Sequence, residues 1–218
     1  MAGNKRKNSK TKHKKTAIVI IKVIIMLLLI VAATYGIKNF VDVSIMPRLQ
    51  LERLEKAKLP DWIDVQLLGY DSNSRSGERL ENYKNIVIHY VANPGSTAQG
   101  NHDYFANPSS NVSSHFVVGL NGEIIQCLPI WEQSAASNWR NNDTISIEVC
   151  HEDESGYFSD VTYNALVKLT VWLADIGHLD EEDVIRHYDI TGKLCPKYFV
   201  EHEDAWEEFK GFVKERLK

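Results

Sequence analysis

Residues 17–37 read AIVIIKVIIMLLLIVAATYGI, twenty-one positions whose only charge is Lys22. At about 1.5 Å per residue this run makes a helix of roughly 31 Å, matching the roughly 30 Å hydrocarbon core of a bilayer. Lys22 lies near the start of the run, where its stem can carry the ammonium back to the headgroups. The segment is therefore expected to be a transmembrane helix. A cleaved signal peptide is the rival reading, with Ala32-Ala33-Thr34 resembling a cleavage site, although signal apolar cores normally run about 7 to 15 residues.

Charge is divided sharply around this run. Nine of the 25 Lys and Arg precede Asp42, seven of them within the first 15 residues, and all 29 acids lie at or beyond Asp42. Positive charge ahead of the span predicts a cytoplasmic N-terminus and an extracytoplasmic remainder. That remainder holds 16 bases against 29 acids, a formal charge of −13, which excludes nucleic acid as its expected partner, because phosphate neutralisation needs clustered Lys and Arg. The basic tail, residues 1–16, reads as a topology signal attracted to anionic lipid.

Four segments follow from these patterns: the tail at 1–16, the transmembrane helix at 17–37, a juxtamembrane stalk at 38–80 and a folded domain at 81–218. The stalk contains a short charged helix candidate ended by Pro60, then DSNSRSGER at 71–79, which has no apolar residue and reads as an exposed loop.

In the domain, NIVIHYV (85–91) and TISIEVC (144–150) read as buried strands, the latter with Ile145, Ile147 and Val149 on one face and Ser146, Glu148 and Cys150 on the other. Segments 115–120 and 123–128 flank Asn121-Gly122, a type I′ hairpin signal. Helices are expected over 97–106, 159–176, with Gly177 as C-cap, and 203–217, and a short strand over 184–188. The fold class is α/β: a single mixed central sheet flanked by helices, preceded by one transmembrane helix.

His89, His187 and Cys195 stand out chemically. Two neutral imidazoles and a thiolate form a ligand set for catalytic zinc, and the soft thiolate disfavours magnesium or calcium. Their spacing alone is a weak signal, since a lone strand histidine is commonly a satisfied polar residue and a lone cysteine commonly core filler.

The segments NIVIHYVANPGSTAQGNHDYF, SSHFVVGLNGEIIQ, ISIEV and RHYDITGKLCP, in this order, closely resemble the zinc-dependent N-acetylmuramoyl-L-alanine amidases, the family shared by phage lysozyme-type amidases and peptidoglycan recognition proteins. The resemblance runs from about Asn85 to the C-terminus. It implies one zinc per chain, held by His89, His187 and Cys195, and hydrolysis of the amide joining N-acetylmuramic acid to the L-alanine of the stem peptide. It further implies Glu148 as general base and then general acid, and Lys193 as the cation facing the developing oxyanion.

His115 matches a histidine near the metal in many relatives and is expected to touch substrate or brace a ligand, a purely structural strand histidine being the alternative. Two departures stand out. Ser114 replaces a tyrosine found in some members, and QSAASNWRNNDT replaces a Trp-His-Ala-Gly-like stretch, leaving Trp139 as the candidate aromatic wall for substrate.

Cys127 and Cys150 are a possible disulfide pair outside the cytoplasm. The expected partners are peptidoglycan and, through the helix, the lipid bilayer, giving a single-pass membrane enzyme of the cell wall. A non-catalytic peptidoglycan-binding module and a zinc peptidase cutting another stem-peptide bond are the other readings.

Overall fold

The computed structural model describes residues 3–41 and 45–217, with side-chain surroundings from Ile20 onward, and divides into two compact units, 1–46 and 47–218. In the first, helix α1 (Gly3–Phe40) runs without a break through both the basic tail and the apolar segment. Its stretch Ile20–Phe40 is long and apolar enough to cross a membrane and buries nothing inside the protein. The side chains of the basic tail lie outside the described residues, so the expectation of a solvated, lipid-attracted tail stays an expectation.

The second unit starts at Pro47, which corrects the expected stalk over 38–80. Helix α2 (Met46–Lys56) buries Leu54 completely, and its Gln50 side chain donates to the Gly177 carbonyl (2.9 Å). Strand β1 (Ile63–Val65) joins the sheet. The polar stretch 71–79 is not a free loop either: Ser72 and Ser74 are buried there, and the Arg75 side chain is largely covered. Arg75 Nε and Nη2 each donate to the Glu132 carboxylate at 2.7 Å, with both side chains under a tenth exposed, and Arg75 also lies 4.0 Å over the Tyr70 ring. The segment is polar because its core contact is an ion pair, and a hydropathy pattern does not register such a contact.

The remaining strands are β2 (Asn85–Tyr90), β3 (Phe116–Val118), β4 (Ile124–Gln126), β5 (Thr144–Val149) and β6 (Val184–Arg186). Their order is β1-β4-β3-β5-β2-β6, parallel at every junction except β3–β4. The parallel centre explains the near-continuous apolar runs of β2 and β5, buried on both faces.

One face carries the larger core. There Ile86, Ile88, Ile145 and Ile147 meet Leu166, Leu169 and Leu173 of α4 (Asp160–Gly177) and Trp206, Phe209 and Val213 of α7 (Glu203–Arg216). On the other face, Val117, Ile125, Leu128 and Cys150 form a smaller core with Ala98 and Phe105 of α3 (Ala98–Ala106), a helix capped by Thr97 accepting from the Gly100 amide.

Two local expectations change. The β3–β4 reversal spans Gly119 to Gly122, closed by the Gly122 amide donating to the Gly119 carbonyl (3.1 Å). Of that turn only Gly122 has positive φ (+78°), so it is not the type I′ turn expected, which needs positive φ at both central residues. Helix α4 ends on His178 in the left-handed region (φ +51°), so the expected C-cap Gly177 lies inside the helix, at a position where a Cβ would collide with Tyr83.

Cys127 and Cys150 are free. The register sets Cys127 beside His115 and Cys150 beside Val118, at opposite ends of β3. That separates them by about 10 Å or more along the strands, beyond the roughly 7 Å Cα limit for a disulfide. The possible pair is thereby excluded.

Candidate active site

Strands β5, β2 and β6 are parallel neighbours, so their carboxyl ends open on one edge, where α/β sheets place ligand crevices. His89 is the penultimate residue of β2 and stands in register with Glu148 of β5, both on the face of the smaller core. His187 follows β6 directly and opens α5 (His187–Thr191). Arg186, just before it, is buried and fastens the junction, donating to Asp189, to Glu203 and to the Phe199 carbonyl. Cys195 lies between α5 and α6 (Lys197–Glu201), its carbonyl accepting from the Tyr188 amide (2.8 Å).

These elements bring His89, His187 and Cys195 together. One ligand atom from each lies within 4.8 Å of the others, all three residues are buried, and the two imidazole centroids are 4.5 Å apart. Burial, followed by His187 and Lys193, holds the His89 pKa well below its ordinary value, and burial with Lys193 lowers that of His187. Both rings are neutral at pH 7, as metal ligands must be.

The Cys195 thiol is pushed up to about 12, first by burial and then by the Glu148 charge, against the Tyr90 backbone amide and Lys193. Metal ligation takes the thiolate, so a divalent cation bound here would displace the Cys195 proton. His187 Nδ1 is buried without a hydrogen-bond partner, and a metal would supply one. The donor set and this orphaned nitrogen fit zinc.

Glu148 lies beside the cluster, with Oε1 4.0 Å from His89 Nδ1 and Oε2 buried without a partner. Burial pushes its carboxyl up to about 8, and Lys193 acts in the opposite direction. Lys193 is itself exposed, and its charge acts on His89, His187, Glu148 and Cys195 alike.

The expected substrate contact at His115 is corrected. The residue is fully buried, its Nδ1 accepts from the Ser146 amide (3.0 Å), and its Nε2 donates to the Glu132 carbonyl (2.8 Å). With both nitrogens committed, the ring ties β5 to the 130–134 segment and has nothing left for substrate. Ser114 is likewise buried and donates to the Phe116 carbonyl (2.8 Å).

Trp139 is exposed (68%) on a 3-10 turn, Asn138–Arg140. The two residues before it were not anticipated: Ser137 Oγ is 3.4 Å from His89 Nε2, and Asn138 Oδ1 is 3.0 Å from His187 Nε2. A Ser-Asn pair in a polar loop carries no sequence signal of such contacts.

A sequence model described as N-acetylmuramoyl-L-alanine amidase matches residues 79–198. Among curated proteins, N-acetylmuramoyl-L-alanine amidase BlyA of Bacillus subtilis (strain 168) is 32% identical over 165 residues, covering 66% of this chain and 44% of that protein. N-acetylmuramoyl-L-alanine amidase CwlL of Bacillus licheniformis is 28% identical over 161 residues, covering 66% and 44%. The chain thus spans less than half the length of these relatives. Among solved structures, the catalytic domain of XlyA superposes with a TM-score of 0.61 at 26% identity, covering 69% of this chain and 98% of that one. A mutant endolysin from Bacillus subtilis gives 0.60 at 28% identity, covering 69% and 97%.

Proposed function

Because the chain belongs to the N-acetylmuramoyl-L-alanine amidase family, we propose that it hydrolyses the amide between N-acetylmuramic acid and L-alanine in peptidoglycan, using one zinc ion held by His89, His187 and Cys195. The observation that carries this reading is the convergence of these three buried ligands beside the Glu148 carboxylate. A module that only binds peptidoglycan has no use for a buried thiol at this position or for a partnerless carboxylate oxygen next to it.

When bound, the ion would polarise the scissile carbonyl, acidify the attacking water and hold Glu148 ionised at neutral pH. Glu148 takes a proton from the water as its oxygen bonds to the carbonyl carbon. The same proton then passes to the leaving nitrogen as the C–N bond breaks, giving a lactyl carboxylate and a free L-alanine amine. Lys193, an exposed cation whose charge acts on Glu148, stabilises the negative charge that develops on the carbonyl oxygen. Trp139 offers an apolar wall to the glycan or stem peptide.

The apolar helix Ile20–Phe40 supports a single-pass anchor, with the basic tail cytoplasmic and the folded unit facing the wall. One experiment reads both bond and anchor: membranes carrying the full chain are washed in alkaline carbonate and then given purified peptidoglycan. Washed membranes are expected to expose new N-terminal L-alanine. Different new termini would point to a peptidase, and a chain released by the wash would refute the anchor.

A further inference from the structure

The turn bearing Trp139 belongs to the stretch where this chain departs from the family's Trp-His-Ala-Gly-like pattern, and it touches both imidazoles of the ligand cluster. Ser137 and Asn138 each approach a ring at Nε2, at 3.4 and 3.0 Å. The other nitrogen of each ring is free of the turn: His89 Nδ1 lies 4.0 Å from Glu148, and His187 Nδ1 is buried with no partner.

A neutral imidazole carries one N–H, and an amide oxygen can only accept. The contact with Asn138 Oδ1 therefore places the His187 proton on Nε2 and leaves Nδ1 with its lone pair. The turn is braced from its other side. Asn141 Oδ1 accepts from the Ser137 amide (2.7 Å), and Arg140 donates to Asp143 (2.7 Å) and to Asn85 (2.6 Å). Asn138 itself has φ +55°, in the left-handed region that asparagine tolerates and glycine occupies freely.

The geometry points to Asn138 as a positioning residue that fixes the tautomer and orientation of His187 and so presents Nδ1 to the metal. This rests on the zinc reading above. Outer partners of this kind typically change metal affinity 10- to 100-fold.

Asn138→Gly keeps the backbone conformation and removes the acceptor, whereas Asn138→Asp keeps an acceptor at the same place. The test uses the full chain in detergent. Zinc affinity is measured by competition with a chromophoric chelator, and thermal unfolding is followed without metal. Asn138→Gly is expected to bind zinc about 10- to 100-fold more weakly with metal-free unfolding unchanged, and Asn138→Asp to bind at least as tightly as the wild type. Wild-type affinity in Asn138→Gly, or an Asn138→Asp variant as weak as Asn138→Gly, would overturn the inference. A wild-type chain that binds no zinc would instead overturn the metal reading beneath it.

Discussion

His89 and His115 are both buried strand-region imidazoles, and their neighbours give them opposite uses. His115 spends both nitrogens on backbone groups of β5 and the 130–134 segment, while His89 keeps Nδ1 towards Glu148. Burial lowers the His115 pKa to about 4, with the Glu132 contacts opposing it. The folded chain therefore holds this ring neutral where the unfolded chain, with a pKa of about 6.5, binds a proton. Stability from this source is present above about pH 6.5 and is lost as pH falls towards 4, amounting to about 3 kcal/mol. His89 and His187 shift in the same direction, so the readout is a difference. Denaturant unfolding of metal-free wild type and His115→Gln at pH 7 and pH 4 should show a smaller acid loss in the variant, and equal losses would refute the assignment. That His89, His187 and Cys195 come together was legible because their local motifs resemble a known family. The work of His115 was not, because its partners sit 31 and 17 residues away and strand alternation names no partner.

At the scale of elements, legibility followed length and pattern. Strands β2 and β5 announce themselves by β-branched runs, and α4 and α7 by their apolar stripes, each found within a residue or two of its expected bounds. Strand β1 has three residues, too few for any periodicity, and the sheet order depends on pairings that no single segment encodes. Residues 47–80 read as a stalk in sequence because their charged helix and polar loop lack a broad apolar face. They instead bury Leu54, Ile63, Leu68 and Leu80, two serines and one side of an ion pair. Leu54→Ala should cost about 2 to 5 kcal/mol of unfolding free energy, as for a buried leucine, whereas a change on an exposed stalk helix would stay within about 0.5 kcal/mol. Denaturant unfolding of the folded unit's tryptophan signal in the full chain distinguishes these outcomes.

For the whole molecule, the charge division and the apolar run at 17–37 already separated an N-terminal helical unit from an acidic folded one, and the two compact units preserve that separation with the boundary moved to Pro47. The folded unit places three parallel strand ends at one edge, and the residues we propose to bind zinc, transfer protons and supply positive charge all come from those ends or the segments after them. The most direct test of this account measures zinc content and release of N-terminal L-alanine from purified peptidoglycan for the full chain in detergent, wild type beside Glu148→Ala. The account predicts one zinc per chain in both, with L-alanine release falling by about 100-fold or more in the variant. Undiminished release by Glu148→Ala, or cleavage by a chain that holds no zinc, would contradict it.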